Sequence, residues 1–272
     1  MWCVASSLLS IVIGEGERRH AYAITHMKTT AVSERDRVLK EVRAAFEREP
    51  RINLHKFPVE MDFSDGVLTL EGEAEHVPAK KLSLELAIAV HGVIDIVDRL
   101  HVTPATRMGD GAILDAVRDA LLQETTLLNC SIRVIRKGQL ETVREVADES
   151  HGSIRVSVNE GVVLLDDHVS GLTQKRLAGV LAWWVPGSRD VINGMEVVPS
   201  QPDSDEEIAK AVRIVLKKDP FVKQERIRVM AQRSVVTLEG DVSSAPQKEM
   251  AEFDAWYVFG VDKVINRLEI RP

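Results

Sequence analysis

The side chains that most often catalyse reactions or bind metals are few in this sequence, and they are scattered along it. The eight histidines form no His-x-x-x-His pair or close cluster, and the two cysteines, Cys3 and Cys130, lie far apart. The neighbouring carboxylates Asp166-Asp167 and Glu206-Glu207 diverge on a predicted strand or lie at a predicted helix start, where acids favour the helix dipole. A nucleophile beside a base is absent from the sequence pattern. We therefore expect no catalytic residue, no metal site and no cofactor, and a protein that is not an enzyme.

Aromatic side chains offer a different chemistry, the binding of apolar groups. Trp183 and Trp184 lie near the end of one predicted helix, and Trp256 and Tyr257 lie at the same place in another. A helical wheel places Trp183 away from the sheet-facing stripe and Trp184 on its flank, with Trp256 and Tyr257 at equivalent places. Three interpretations are open. The rings pack between modules, they form a surface for a partner or a lipid interface, since an indole suits both, or they make an exposed patch without function.

Composition and charge limit the classes of protein that fit. An apolar fraction of 44% and a charged fraction of 28% are ordinary for a globular protein. The net charge of −7 argues against a mainly electrostatic grip on nucleic acid, so no nucleic-acid partner is expected. The same charge argues against a mainly electrostatic grip on anionic lipid. Composition does not name a partner, and it does not fix the oligomeric state.

A threefold internal repeat positions these side chains. Residues 59–102, 154–197 and 227–270 align without a gap. The repeat predicts a first module at 34–104, a second at 111–199 with an insertion around 126–152, and a third at 205–272. The N-terminal segment 1–33 is expected to be poorly ordered. Modules this small bury little surface alone, so we expect them to pack on each other.

Each module is predicted to fold as αββαβ, an α+β unit in which two helices cover one face of a three-stranded sheet. In the first, a helix at Ser33–Glu49 precedes strands at Val59–Phe63 and Val67–Ala74, a helix opened by Pro78, and a strand at Val93–Val102. Glycines are predicted at turns or close backbone approaches. They are Gly66, Gly72, Gly92, Gly161, Gly187, Gly240 and Gly260.

Three local features of the later modules are also predicted. In the insertion, Ser131–Lys137 resembles an extra strand and Gln139–Ala147 a charged surface helix, while Ile154 begins the strand that matches the first module. The third strand of the second module is expected at Val191–Val197. Asp205 is expected to cap the first helix of the third module.

The repeated pattern resembles the BON domain. It reads Gly66-Val67-Leu68-Thr69-Leu70-Glu71-Gly72, then a helix with a central Lys80, Gly92 and a final strand. Equivalent stretches recur around Lys175 and Lys248. Asp167 departs from the pattern in place of the second glycine, and Ser234 in place of the first. The chain from about residue 34 onward is similar to triple-BON proteins of the osmotically induced type.

This resemblance implies a stress-associated, non-catalytic protein of bacterial envelopes that binds phospholipid or other proteins. We expect the modules to bind phospholipid surfaces or a hydrophobic ligand, with Trp183 and Trp256 solvent accessible. The alternative is a cytoplasmic interaction scaffold without lipid binding. The apolar run in residues 1–14 is short and is followed by charged residues, so it is a poor export signal. A cytoplasmic location is therefore expected, with a periplasmic or envelope location as the alternative that the resemblance implies.

Overall fold

The computed structural model describes residues 34–148 and 151–271. The segment expected to be poorly ordered, 1–33, lies outside these residues, and so does Ser33, the first residue of the predicted first helix. The described residues form six helices and twelve strands, arranged as three α+β modules in tandem. The first and third modules match the predicted αββαβ unit, and the second adds strands to it.

The first module has the simplest form of this unit. Its elements are α1 (34–48), β1 (Val59–Ser64), β2 (Val67–Ala74), α2 (Val77–Ile88) and β3 (Asp95–Val102). Strand β2 is central, antiparallel to β1 and parallel to β3. The apolar stripe of α1, Val38, Val42 and Phe46, is fully buried against this sheet. The stripe spacing of four residues thus decides which face of α1 meets the sheet.

The second module carries a larger sheet. Its elements are α3 (Asp110–Gln123), β4 (Ser131–Arg136), β5 (Gln139–Arg144), β6 (Gly152–Asn159), β7 (Val162–Val169), α4 (Leu172–Trp183), β8 (Asp190–Asn193) and β9 (Glu196–Val197). The strand order is β5-β4-β6-β7-β8, with β9 also pairing with β7. The strand beginning near Ile154 takes the equivalent place to β1, as predicted. The predicted third strand at Val191–Val197 is interrupted after Asn193, and β8 and β9 share its place.

The helix predicted at Gln139–Ala147 is wrong, because the segment forms strand β5. Lys137 and Gly138 both have positive φ, of 50° and 78°, and they fold β5 back onto β4. Most residues of β5 are exposed and several are polar, so its sequence does not show the pattern of a half-buried strand. The insertion therefore adds a β-hairpin to the edge of the sheet.

The third module repeats the first. Its elements are α5 (Asp205–Lys218), β10 (Ile227–Gln232), β11 (Val235–Val242), α6 (Ala245–Tyr257) and β12 (Lys263–Ile270). The prediction that Asp205 caps α5 is wrong. Ser204 is the N-cap, and its Oγ accepts the N–H of Glu207 at 3.3 Å. The Asp205 carboxylate instead accepts N–H groups of Arg233 and Ser234 in the turn between β10 and β11.

Turns and close backbone approaches account for the seven glycines, with Gly72 and Gly240 lying inside strands β2 and β11. Six of them have positive φ, and the exception, Gly187, has φ outside that region but would place a Cβ 2.6 Å from the Cβ of Met108. Gly240 shows the tightest approach, since a Cβ there would lie 2.0 Å from the Arg226 carbonyl oxygen. Asp167 and Ser234, which stand where other copies have glycine, keep a positive φ, of 84° and 60°.

The second and third modules share one core, and the first module has a core of its own that packs beside it. Buried residues of the second and third modules form one cluster, which also takes in Leu82 of the first module. The Lys81 ammonium on α2 donates to three main-chain oxygens at the C-terminal end of α6 and just beyond it. They are the oxygens of Trp256, Val258 and Val261, at 2.7, 3.2 and 3.0 Å. No helix in the described ranges has the length and apolar character needed to cross a bilayer.

Candidate functional site

An aromatic cleft lies where the second and third modules meet. It has a volume of about 440 Å³, in the ordinary range of small-molecule sites. Aromatic and other apolar side chains form most of its walls, and two carboxylates complete them. The lining residues are Ala105, Trp183, Trp184, Pro186, Asp219, Pro220, Phe221, Met250, Phe253, Asp254 and Tyr257. We call this site the aromatic cleft.

Three helix ends position these side chains. Helix α4 ends at Trp183, with Trp184 as its C-cap, and α6 ends at Tyr257. Helix α5 ends before its C-cap Asp219 because the following Pro220 disfavours helical backbone at the residue preceding it. The chain therefore leaves α5 at the cleft and places Phe221 at its mouth, with 65% of the residue exposed.

The ring geometry leaves aromatic faces available. The rings of Trp183 and Tyr257 come from different modules and are stacked, with centroids 6.1 Å apart and planes 15° from parallel. Both residues, like Trp184 and Phe253, are only partly buried. Three of the four aromatic residues singled out from the sequence thus line one cleft, although none lies on an open outer surface.

Trp256 is the fourth, and the expectation that it is solvent accessible is wrong. The residue is 0% exposed and belongs to the main core. Its ring does face away from the sheet of its own module, as the helical wheel implies, but the first module covers it. The Arg51 guanidinium lies over the ring, 5.8 Å from its centroid, and the Lys81 ammonium binds the Trp256 carbonyl oxygen. Trp256 therefore holds modules together and does not line the cleft.

A pair of buried carboxylates was missed by the sequence analysis. Asp254 is 3% exposed and Asp219 8% exposed. Trp184 donates its Nε1–H to Asp254 Oδ1 at 3.0 Å, whereas Asp254 Oδ2 accepts no hydrogen bond from the described residues. Burial, and then the charge of Asp219, raises the pKa of Asp254 to about 8. Burial also raises the pKa of Tyr257 to about 12, so its phenol stays neutral at physiological pH.

Comparison of equivalent positions in the three repeat copies would have identified Asp254. It occupies the position of Leu86 in the first module and Leu181 in the second, on the apolar stripe of the equivalent helices. An acid at a leucine position on a buried helix face is costly unless it has a role. Asp219 gives no such signal, since an acid follows the first helix in all three modules.

The chemistry available in the cleft is that of binding. No serine, threonine, cysteine, lysine or histidine side chain lines it. Across residues 34–148 and 151–271, no three His, Cys, Asp or Glu side chains come together as metal ligands. Apolar walls with a few polar groups are typical of sites that hold a small apolar or amphiphilic molecule.

Comparison with known proteins identifies the repeated unit. A family model described as the BON domain matches residues 35–104, 139–199 and 204–272. The second match begins after α3 and β4, and so leaves out the first helix of that module. No curated protein matches the chain.

Two solved structures of CdsD, a structural protein of the Type III secretion system of Chlamydia trachomatis, are similar to the chain at 14% identity. One is the C-terminal domain. The matches cover 86% of this chain and 96% and 92% of those chains, each with a TM-score of 0.23. Superposition at this level carries no argument about fold or function.

Proposed function

The chain belongs to the BON-domain family, whose model matches it three times, and from this premise we propose that it is a non-catalytic, stress-associated binding protein. We propose further that its ligand site is the aromatic cleft and that the ligand is hydrophobic. The family is of the non-catalytic binding type, and its domains are associated with stress and with phospholipid. The stress association rests on the family alone.

The observation that carries the ligand proposal is the meeting of partly exposed aromatic rings from two modules around one cavity. Trp183 and Trp184 come from α4, and Phe253 and Tyr257 from α6. Apolar side chains in the cores of the same modules are fully buried, so the partial exposure of these rings is a local property of the cleft. A ligand that covers them gains about 25 cal/mol for each Å² of apolar surface removed from water.

A flat lipid surface fits the structure less well than a ligand within the cleft. The surface interpretation relied on Trp183 and Trp256 acting together, and Trp256 is enclosed by the core. A single acyl chain, or another slender apolar group, fits a cleft of about 440 Å³ better than a bilayer face does. Phospholipid remains among the ligands proposed, as a molecule that inserts a chain.

The test is titration with N-phenyl-1-naphthylamine, a neutral apolar fluorophore that brightens in apolar sites. The cleft is blocked by Ala105→Trp. Ala105 is an exposed residue of the cleft wall, in the connection between β3 and α3. Ala147→Trp is the matched control, because Ala147 is an exposed loop residue away from the cleft. We expect saturable binding in the wild type and the control and a loss of about tenfold or more in Ala105→Trp. Equal binding by all three proteins would overturn the assignment to this cleft.

A further inference from the structure

One acidic position recurs after the first helix of every module. The acids are Glu49, Glu124 and Asp219. In each case a carboxylate oxygen accepts the main-chain N–H two residues further on, at 3.3, 2.8 and 2.8 Å, from Arg51, Thr126 and Phe221 respectively. The three modules therefore hold this carboxylate in the same local turn, and their surroundings can be compared directly.

The acids of the first two modules each pair with a cation, Arg51 within the first module and Lys218 from α5 of the third, whereas Asp219 does not. Arg51 Nε lies 2.8 Å from a Glu49 oxygen, and Lys218 Nζ lies 2.8 Å from a Glu124 oxygen. Among the described residues no Lys, Arg or His nitrogen lies within 4.0 Å of Asp219. The position of Arg51 is taken in the third module by Phe221, at the mouth of the aromatic cleft. An aromatic ring has thus replaced the counter-ion.

A second acid has been added where the counter-ion is missing. Asp254 stands in place of the leucines of the other two modules, and its nearest charged neighbour is the Asp219 carboxylate. No cationic side chain lines the cleft, and Asp254 Oδ2 accepts no hydrogen bond from the described residues. Buried carboxylates are ordinarily paired with a cation, because an unpaired charge is costly away from water.

We propose that the missing counter-ion comes with the ligand, and that the aromatic cleft binds an amphiphile whose polar end is an ammonium group. The inference rests on the proposed function and names the charge of that ligand. The ammonium lies against Asp219 and Asp254, and the apolar body lies along the aromatic walls. Aromatic faces beside carboxylates are the usual surroundings of bound alkylammonium ions, which the ring quadrupole attracts.

The same arrangement disfavours an anionic end group. A phosphate or carboxylate in the cleft would meet the Asp219 carboxylate and no cation, and like charges in such a site repel. A neutral polar end would gain hydrogen bonds only. The ammonium can belong to a free amine or to a lipid head group, since the cleft recognises the same chemistry in both.

The first test needs no variant of the protein. Decyltrimethylammonium, decyl maltoside and sodium decyl sulfate carry the same chain on a cationic, a neutral and an anionic head, and each is titrated below its micelle concentration by calorimetry. We expect the cation to bind about tenfold or more tightly than the other two. Equal binding of all three overturns the ammonium assignment and leaves the apolar cleft intact. Binding of none overturns the proposed function as well.

Variants locate the effect. Phe221→Arg restores the residue of the first module and provides a built-in cation at a largely exposed position, so it should abolish the preference for the cationic ligand while the fold persists. Asp254→Asn should weaken that preference, and Glu249→Gln is its control, since Glu249 is exposed on the same helix. An undiminished preference in Phe221→Arg would refute the proposal.

The source of the ammonium is separated by flotation of the full chain with vesicles. Phosphatidylcholine vesicles present an ammonium, and vesicles of phosphatidylglycerol present an anion on the same glycerol backbone. Flotation with the former, lost in Phe221→Arg, assigns the ammonium to lipid. Calorimetric binding of the soluble amine without flotation assigns it to a free ligand. Flotation with phosphatidylglycerol alone contradicts the proposal.

Discussion

Replacing Asp254 by asparagine should stabilise the protein at high pH, because the native carboxyl is held where its ionisation is unfavourable. The asparagine side chain has nearly the same shape. Its amide oxygen can still accept the Nε1–H of Trp184, and its amide nitrogen can donate to Asp219. The variant therefore removes the titration of this group and keeps the local packing. What changes is the dependence of the free energy of unfolding on pH.

The size of the effect follows from the pKa of Asp254, which burial raises from 3.8 to about 8. Below about pH 4 the carboxyl is protonated in both the folded and the unfolded chain, and it carries no penalty. Between about pH 4 and 8 the unfolded chain ionises first, so the free energy of unfolding falls by up to about 1.4 kcal/mol per pH unit. Above about pH 8 the loss is complete, at roughly 3–6 kcal/mol.

The assay is urea denaturation of the wild type and Asp254→Asn at pH 4.5, 6, 7.5 and 9. Subtracting one free energy of unfolding from the other cancels the groups that titrate alike in both proteins. We expect the variant to gain several kcal/mol on the wild type between pH 4.5 and 9. Glu249→Gln, which alters an exposed acid on the same helix, should show a difference that stays nearly constant. A constant difference in Asp254→Asn would refute the unfavourable burial of this carboxyl.

Three further substitutions test the packing, each by chemical denaturation. Trp256→Ala should lose about 3–5 kcal/mol of unfolding free energy because its ring is fully buried, whereas Trp183→Ala, at the cleft, should lose about 1 kcal/mol. Lys81→Met should lose about 2–4 kcal/mol, since it leaves three carbonyl oxygens at the end of α6 without their donor. Ser234→Gly should gain about 0.5–1 kcal/mol by relieving a φ of 60°, and a loss would show that the turn is not strained.

The fold was predictable because the same sequence pattern occurs three times. Periodicity of two in the strands and of nearly four in the helices recurs in every copy, and a short turn separates the two antiparallel strands, with glycine in two copies and Ser234 in the third. The insertion has no second copy to compare with. Its second half alternates polar residues with Leu140 and Val143 on an exposed edge strand, so hydrophobic pattern could not distinguish it from a surface helix.

The site was predictable only in part, because it forms between modules. Helical position alone identified Trp183, Trp184 and Tyr257 as rings that their own sheets do not need. The same reasoning placed Trp256 outward, and it failed because the packing of the first module cannot be read from periodicity within the third. The role of Asp219 and Phe221 in the site becomes apparent only when Asp254, from a different helix, is seen to lie beside them. Comparison of equivalent positions between copies would have exposed the change from leucine to aspartate.

Divergence at one further position explains why the cleft occurs once and not three times. Lys81, Arg176 and Glu249 are equivalent in the repeat. The two cations both bind the end of α6: Lys81 through three carbonyl oxygens, and Arg176 through the Phe259 oxygen at 2.9 Å. Cations at a helix C-terminus are favoured by the helix dipole. Glu249, at the same position of the third module, is an exposed acid.

The third module is therefore the centre on which the other two dock, and the order of the copies is not interchangeable. Since α4 approaches α6 through Arg176, the ends of these helices lie side by side and their aromatic rings meet across the boundary. The cleft is a consequence of that docking and belongs to no single module. Asp254 and Phe221, which differ from their counterparts in the other copies, both lie at this boundary.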